Sequence, residues 1–123
     1  MADTPRVAAP LQHGKMVALT GSTDSRGILI TPTATAGEAI HKNTSGGIQL
    51  LYLFCHNAHS GSATLSLEWG GVADPRDVTE HGIAANGTSE VVSGMPLGSG
   101  KQLAGFADQA DKMTVWGYAV SIG

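Results

Sequence analysis

Cysteine is nearly missing from this chain. Cys55 stands alone, so no disulfide can close within the chain and a site built from several thiolates is excluded. Charge is also sparse. Asp, Glu, Lys and Arg together make up 14% of the residues, against about a quarter in ordinary globular domains. The formal net charge is −3 and the sequence pI is about 5.9. A nucleic-acid binder shows a basic patch or stripe; none is present, and no nucleic-acid partner is expected. No apolar run approaches the ~18 residues of a membrane-crossing helix, so no membrane partner is expected either. Residues 1–10 lack a basic stretch leading into an apolar one, so no signal peptide is read there. Phe, Trp and Tyr number two each, and a core of this size should claim most of them. What the chain has in quantity is glycine, 17 of 123 residues, with 41% hydrophobic residues. That is enough for one domain around one core.

Residues 1–16 read either as a frayed terminus or as an extended N-terminal arm that orders on a neighbouring subunit. Pro5 and Pro10 interrupt a small-residue stretch without a period, and proline removes a donor and disfavours helix before it. Residues 17–123 read as the folded domain. Its signals are short. An apolar run at 16–19 is closed by the turn-forming 20–24. Ile28, Leu29 and Ile30 stop at Pro32. A brief run at 38–42 meets the turn cluster 43–47. The run 48–56 is almost continuously apolar and predicts a strand buried on both faces, with a buried helical turn as the competing reading. Ala63, Leu65, Leu67 and Trp69 alternate with Thr64, Ser66 and Glu68, which predicts a strand with one wet face. The loop 57–62 between these runs predicts an antiparallel hairpin. Further strands are predicted at 77–80, 89–92, 101–107 and 112–122, with 95–100 as a loop. Eight or nine short strands and no convincing helix predict an all-β, single-domain antiparallel β-sandwich, jelly-roll-like, with an immunoglobulin-like sandwich as second choice.

Chemistry is thinly represented. Cys55, His56, Asn57 and His59 cluster in sequence and suggest a metal site or a cysteine nucleophile. A structural zinc needs four ligands and a catalytic zinc three, yet the remaining histidines, His13, His41 and His81, are scattered. If the strand continues, His56 points away from Cys55, so a small buried thiol followed by polar loop residues is the reading adopted. Asp74, Asp77 and Glu80 resemble calcium ligands, but Arg76 lies among them and the spacing fits a solvated loop. Glu68 with Glu90, or Asp108 with Asp111, could form a carboxylate pair only if a cleft separated them, and nothing in the sequence places one. Gly98, Ser99, Gly100 and Lys101 lack the spacing and following helix of a phosphate loop and read as a hairpin turn. Trp69 falls on the apolar side of its strand. Trp116 and Tyr118 share a face whose direction the sequence leaves open. No catalytic, cofactor-binding or metal-binding residue is assigned, no cofactor is expected, and the chain is read as a non-enzyme.

From residue 50 onward the cadence resembles that of small virion proteins of tailed bacteriophages. The resembling parts are the apolar strand Leu50-Leu51-Tyr52-Leu53-Phe54-Cys55-His56-Asn57, the alternating strand 63–69 and the segment Met95-Pro96-Leu97-Gly98-Ser99-Gly100. The segment Gly105-Phe106-Ala107-Asp108 and the closing Thr114-Val115-Trp116-Gly117-Tyr118 complete it. Residues 1–47 are not covered, and the resemblance carries no functional residue with it. It implies a jelly-roll-like structural protein of the virion, most readily a capsid decoration or cement protein on the major capsid protein lattice. It further implies a homo-oligomer, with a trimer favoured, made in the bacterial host cytoplasm and located on the capsid surface. A neck or tail position is the variant of that reading. A carbohydrate-binding module using Trp116 and Tyr118, or an enzyme using Cys55 with His56 or His59, are the rivals from other classes.

Overall fold

A computed structural model describes residues 14–23 and 26–122. The expected arm falls outside the described residues except for positions 14–16, which belong to the first strand. Nine strands follow in order: β1 (Gly14–Ala18), β2 (Ile28–Ile30), β3 (Glu38–Lys42), β4 (Ile48–Asn57), β5 (Ala63–Trp69), β6 (Val78–Ile83), β7 (Thr88–Leu97), β8 (Gln102–Ala107) and β9 (Met113–Ile122). The described residues contain no helix.

Two antiparallel sheets pack face to face. Sheet A runs β1-β9-β4-β7, with β2 also paired to β9, and sheet B runs β3-β8-β5-β6. β1 and β2 share one strand position, since they pair with opposite ends of β9. Counted that way the pairing is nested. β1 and β2 meet β9, β3 meets β8, β4 meets β7, and β5 meets β6. A long hairpin rolled around a barrel-like core has this order, which is that of a jelly roll.

The topology corrects the expected hairpin between β4 and β5. The two strands lie in different sheets, and the loop 57–62 carries the chain across the sandwich. Only β5 and β6 are sequential partners. The loop expected at 95–100 is likewise shorter, because β7 continues to Leu97. Pro96 is tolerated there because β7 is an edge strand, where a missing amide donor faces no partner. Register shifts between Leu51/Tyr52 and Leu53/Phe54 mark bulges, the first at Gly94 with φ of 81°. Bulges of this kind turn an edge away from unwanted pairing.

The core lies between the sheets. Leu51, Leu53 and Cys55 of β4 meet Leu65 and Leu67 of β5, with Ile30, Ile40, Leu103, Met113 and Val115 around them, and all are fully buried. Each such aliphatic side chain contributes about 1.5–3 kcal/mol of burial. β4 itself is buried on one face only, not two: Leu51, Leu53 and Cys55 alternate with the outward Leu50, Tyr52, Phe54 and His56. The near-continuous apolar run hid this alternation. β5 departs from expectation in the opposite sense, since Ser66 and Glu68 on its supposedly wet face are buried.

Candidate functional site

The cysteine and histidine cluster is dispersed by the strand period. Cys55 faces the core, and burial pushes its thiol up to about 12, so it stays protonated and unreactive near neutrality. His56 turns outward, where Nδ1 sits 2.8 Å from Thr88 Oγ1. Asn57 is buried and acts as a clamp. Its Nδ2 donates to the carbonyls of Gly61 (3.0 Å) and Ile83 (3.1 Å), and its Oδ1 accepts from His59 N–H (2.9 Å). His59 Nδ1 in turn accepts from Gly61 N–H. This loop therefore has a structural task.

The same device occurs one strand earlier. Buried Asn43 donates to Gly47 O (2.9 Å) and to Leu97 O (2.8 Å), and its Oδ1 accepts from Ser45 N–H (2.9 Å). An Asn at position i with Gly at i+4 thus closes the crossover at each end of β4. The side-chain carbonyl takes the amide two residues on, as in an Asx turn. The spacing Asn43…Gly47 and Asn57…Gly61 was visible in the sequence as a repeated signal.

The other candidates are also accounted for structurally. His41 is buried between Thr20 and Gln49. Thr20 N–H donates to Nδ1 (3.2 Å) and Nε2 lies 2.6 Å from Gln49 Oε1, which fixes the ring proton on Nε2. His81 bonds Thr79 Oγ1, which also accepts from the half-buried Trp69 indole (2.9 Å each). His13 lies outside the described residues. Asp77 holds its own loop by accepting from Ala73 N–H, while Asp74 and Glu80 border a depression of about 230 Å³ over sheet B. Among the described residues no three His, Cys, Asp or Glu side chains are grouped to hold a metal ion. Glu68 and Glu90 lie on different sheets, so no cleft lies between them. Asp108 accepts from Thr64 N–H, and Asp111 occupies a turn at φ of 60°. Gly98 to Lys101 forms a turn closed by Lys101 N–H to Gly98 O (3.1 Å), and it joins the two sheets rather than a hairpin.

What stands out instead is the outward face of sheet A. Across the central strands β4 and β9 the register pairs Ile48 with Ile122, Leu50 with Val120, Tyr52 with Tyr118 and Phe54 with Trp116. Every one of these side chains points away from the core, because Leu51, Leu53, Val115 and Ala119 between them are buried. The Tyr52 and Tyr118 rings stack with centroids 5.1 Å apart. Phe54 is 41% exposed, Trp116 42% and Ile48 48%. Met16 on β1 and Leu29 on β2 extend the patch sideways, and both are exposed. The Trp116 indole reaches toward Gly27, where any side chain would collide with it. Beside it the edge is interrupted between β1 and β2. A hollow of about 120 Å³ opens there, lined by Ala18, Leu19, Ser22, Arg26, Trp116 and Gly117.

The sequence left the direction of Trp116 and Tyr118 open, and the structure turns both outward. It also adds four partners from β4 that were read as core. The signal that could have found them is the period of two within residues 48–56, obscured because polar residues do not mark the outer side.

Comparison with family models, with curated proteins and with solved structures finds no match for this chain.

Proposed function

We propose that the chain is a structural protein of a bacteriophage virion, a capsid decoration protein that binds the major capsid protein lattice as a homo-oligomer. The observation that supports this most is the outward face of sheet A, which presents eight apolar or aromatic side chains in four cross-strand rows. Soluble monomers seldom expose contiguous apolar patches beyond a few hundred Å² unless the patch meets a partner. Such a face is built on strands, and the hollow beside it, about 120 Å³, is below the few hundred Å³ of a ligand pocket, which suits burial in an assembly better than capture of a small molecule.

Exposed Trp116 favours a second reading, a carbohydrate-binding module. Sugar binding joins a stacking ring to polar groups that fix orientation. Here the ring's cross-strand neighbours are Phe54 and the stacked tyrosines, and the hollow beside it, lined by Ser22 and Arg26 among others, holds only about 120 Å³, which weighs against it. The neck or tail location remains the variant within the virion reading.

The test is co-sedimentation of the purified chain with capsids stripped of accessory proteins, followed by thermal rupture of the loaded particles. Saturable binding in a fixed ratio to capsid protein, with a raised rupture temperature, is the expected result. No co-sedimentation together with a glycan-dependent change in tryptophan fluorescence would replace the decoration reading with the carbohydrate one.

A further inference from the structure

The outward face of sheet A needs an occupant, and its chemistry selects one. On β1, β2, β4 and β9 the outward positions carry no Asp, Glu, Lys or Arg; His56 and Thr114 at one end are their most polar members. Two charges stand at the rim: Glu90, opposite Phe54 on β7, and Arg26, in the hollow beside Trp116. A face without charge at its centre does not choose a partner by opposite charge. It is suited to meet its own image, because a two-fold contact pairs residue i with j and j with i, and a charge near the axis would meet its like.

Size and relief agree. Four strand positions about 4.8 Å apart and rows spanning seven residues at about 3.4 Å give a flat footprint of roughly 400 Å². A standard stable interface buries about 800 Å² of accessible surface per partner. The corrugation of large side chains and the polar rim of β7 bring the accessible area of this face toward that range. The ladder is also graded in height. Ile48 and Ile122 stand at one end, Phe54 and Trp116 near the other. A two-fold axis lying across the strands sets the branched aliphatic end of one copy against the tall aromatic end of the next. Sheets packed in this way lie about 10 Å apart.

We infer that the outward ladder of β4 and β9 is a self-association face, occupied by the same ladder of a second copy of this chain. The inference deepens the assembly reading and rests on it in one respect: it names the contact that builds the oligomer. The symmetry selected is a two-fold, where the resemblance alone implied a trimer.

Sedimentation velocity of the full chain over a micromolar concentration series tests this, with Phe54→Glu, Trp116→Glu and, as a control on the far side, Val72→Glu. Val72 is exposed in the loop after β5. The expected result is a dimer for the parent and for Val72→Glu, and a dimer dissociation constant raised by more than about tenfold for either ladder variant. A second readout avoids the ladder variants altogether. In Trp69→Phe, Trp116 is the only indole, and its emission should shift to the blue as concentration rises. A parent chain that stays monomeric, a trimeric mass, or Glu variants that associate as the parent does would each overturn the inference. So would a monomer whose Trp116 becomes quenchable only after deletion of residues 2–13, since the ladder would then be covered within one chain. A dimer that ignores capsids leaves the inference standing and sinks the capsid reading. A parent that binds capsids only as a monomer does the reverse.

Discussion

On the outer side of sheet B, Ser66 and Glu68 are polar and buried; on the outer side of sheet A, Ile48, Phe54, Trp116 and Ile122 are apolar and exposed. The two faces belong to one sandwich and differ in what lies over them. Over sheet B the segment 33–37 folds back onto the strand surface. Glu68 holds it there, accepting from Thr35 Oγ1 and from Gly37 N–H at 2.8 Å. A buried carboxylate without such donors would be costly, and with them it fixes the path of the loop. Sheet A has no such cover among its described residues. Its outer side chains are the sort a protein normally hides, and they lie on central strands, where they cannot be an accident of a frayed edge. The lesson is that polarity along a strand reports which face is dry only when both faces see the same surroundings.

The comparison depends first on β4 and β9 lying side by side in register, and Gly117 permits that. Its φ is 152°, a backbone region nearly confined to glycine. A Cβ there would stand 2.0 Å from Tyr52 O, on the neighbouring strand. Gly117→Ala should therefore be the most damaging single change, costing more than about 3 kcal/mol or preventing folding. Urea denaturation of the variant measures this, and an unchanged midpoint would show that the two central strands are not held as described. Asn57→Ala comes next. It removes the clamp that carries β4 of sheet A into β5 of sheet B and leaves the carbonyls of Gly61 and Ile83 without their donor. A loss of about 2–4 kcal/mol is expected, from the unsatisfied buried groups and the broken turn together.

The contrast between the faces is tested most directly by one substitution on each. Glu68→Ala removes a polar side chain that is 2% exposed and strands the Gly37 amide; it should cost about 1–3 kcal/mol and make the segment 33–37 an early site of proteolysis. Phe54→Ser removes a large apolar side chain from the solvent side of a central strand and should cost about 1 kcal/mol or less at concentrations where the chain is dissociated. If the polar change is the milder one, the inversion between the faces is wrong. Its cost should grow with protein concentration, since anything that binds only the folded state adds to apparent stability by mass action.

The sandwich class and the strand locations were legible because turn chemistry is local. Clusters carrying Asn and Gly at 43–47, 57–61 and 84–87 delimit strands whatever those strands pair with. Pairing was not legible for β4 and β5. A short loop between two apolar runs looks the same whether it closes a hairpin or crosses between sheets, and only Asn57 reaching Ile83 separates the two. The ladder was half legible. Trp116 and Tyr118 were seen to share a face, but Ile48, Leu50, Tyr52 and Phe54 were read as core because an uncharged outer face leaves no polar mark on the sequence. Glu68 was misread for the complementary reason, since the loop that buries it comes from thirty residues upstream. The Cys55 cluster looked chemical only in one dimension. Strand alternation sends its members to opposite sides.

The smallest expected effect concerns the edge of sheet B and has a definite sign. His81 sits on β6 with Thr79 Oγ1 beside its Nε2, next to the Trp69 indole. Partial burial lowers its pKa below the ordinary 6.5. The unfolded chain therefore takes up a proton on this ring at a higher pH than the folded chain does. The contribution of neutral His81 to stability is complete above 6.5 and is lost as the pH falls from there through the lower folded value. His81→Gln keeps the polarity and removes the titration. The difference in unfolding midpoint between parent and variant should thus stay constant above pH 7 and move in the variant's favour as the pH falls below about 6.5. A midpoint difference that stays flat through that fall would place His81 in water, with Thr79 bonded to Trp69 alone.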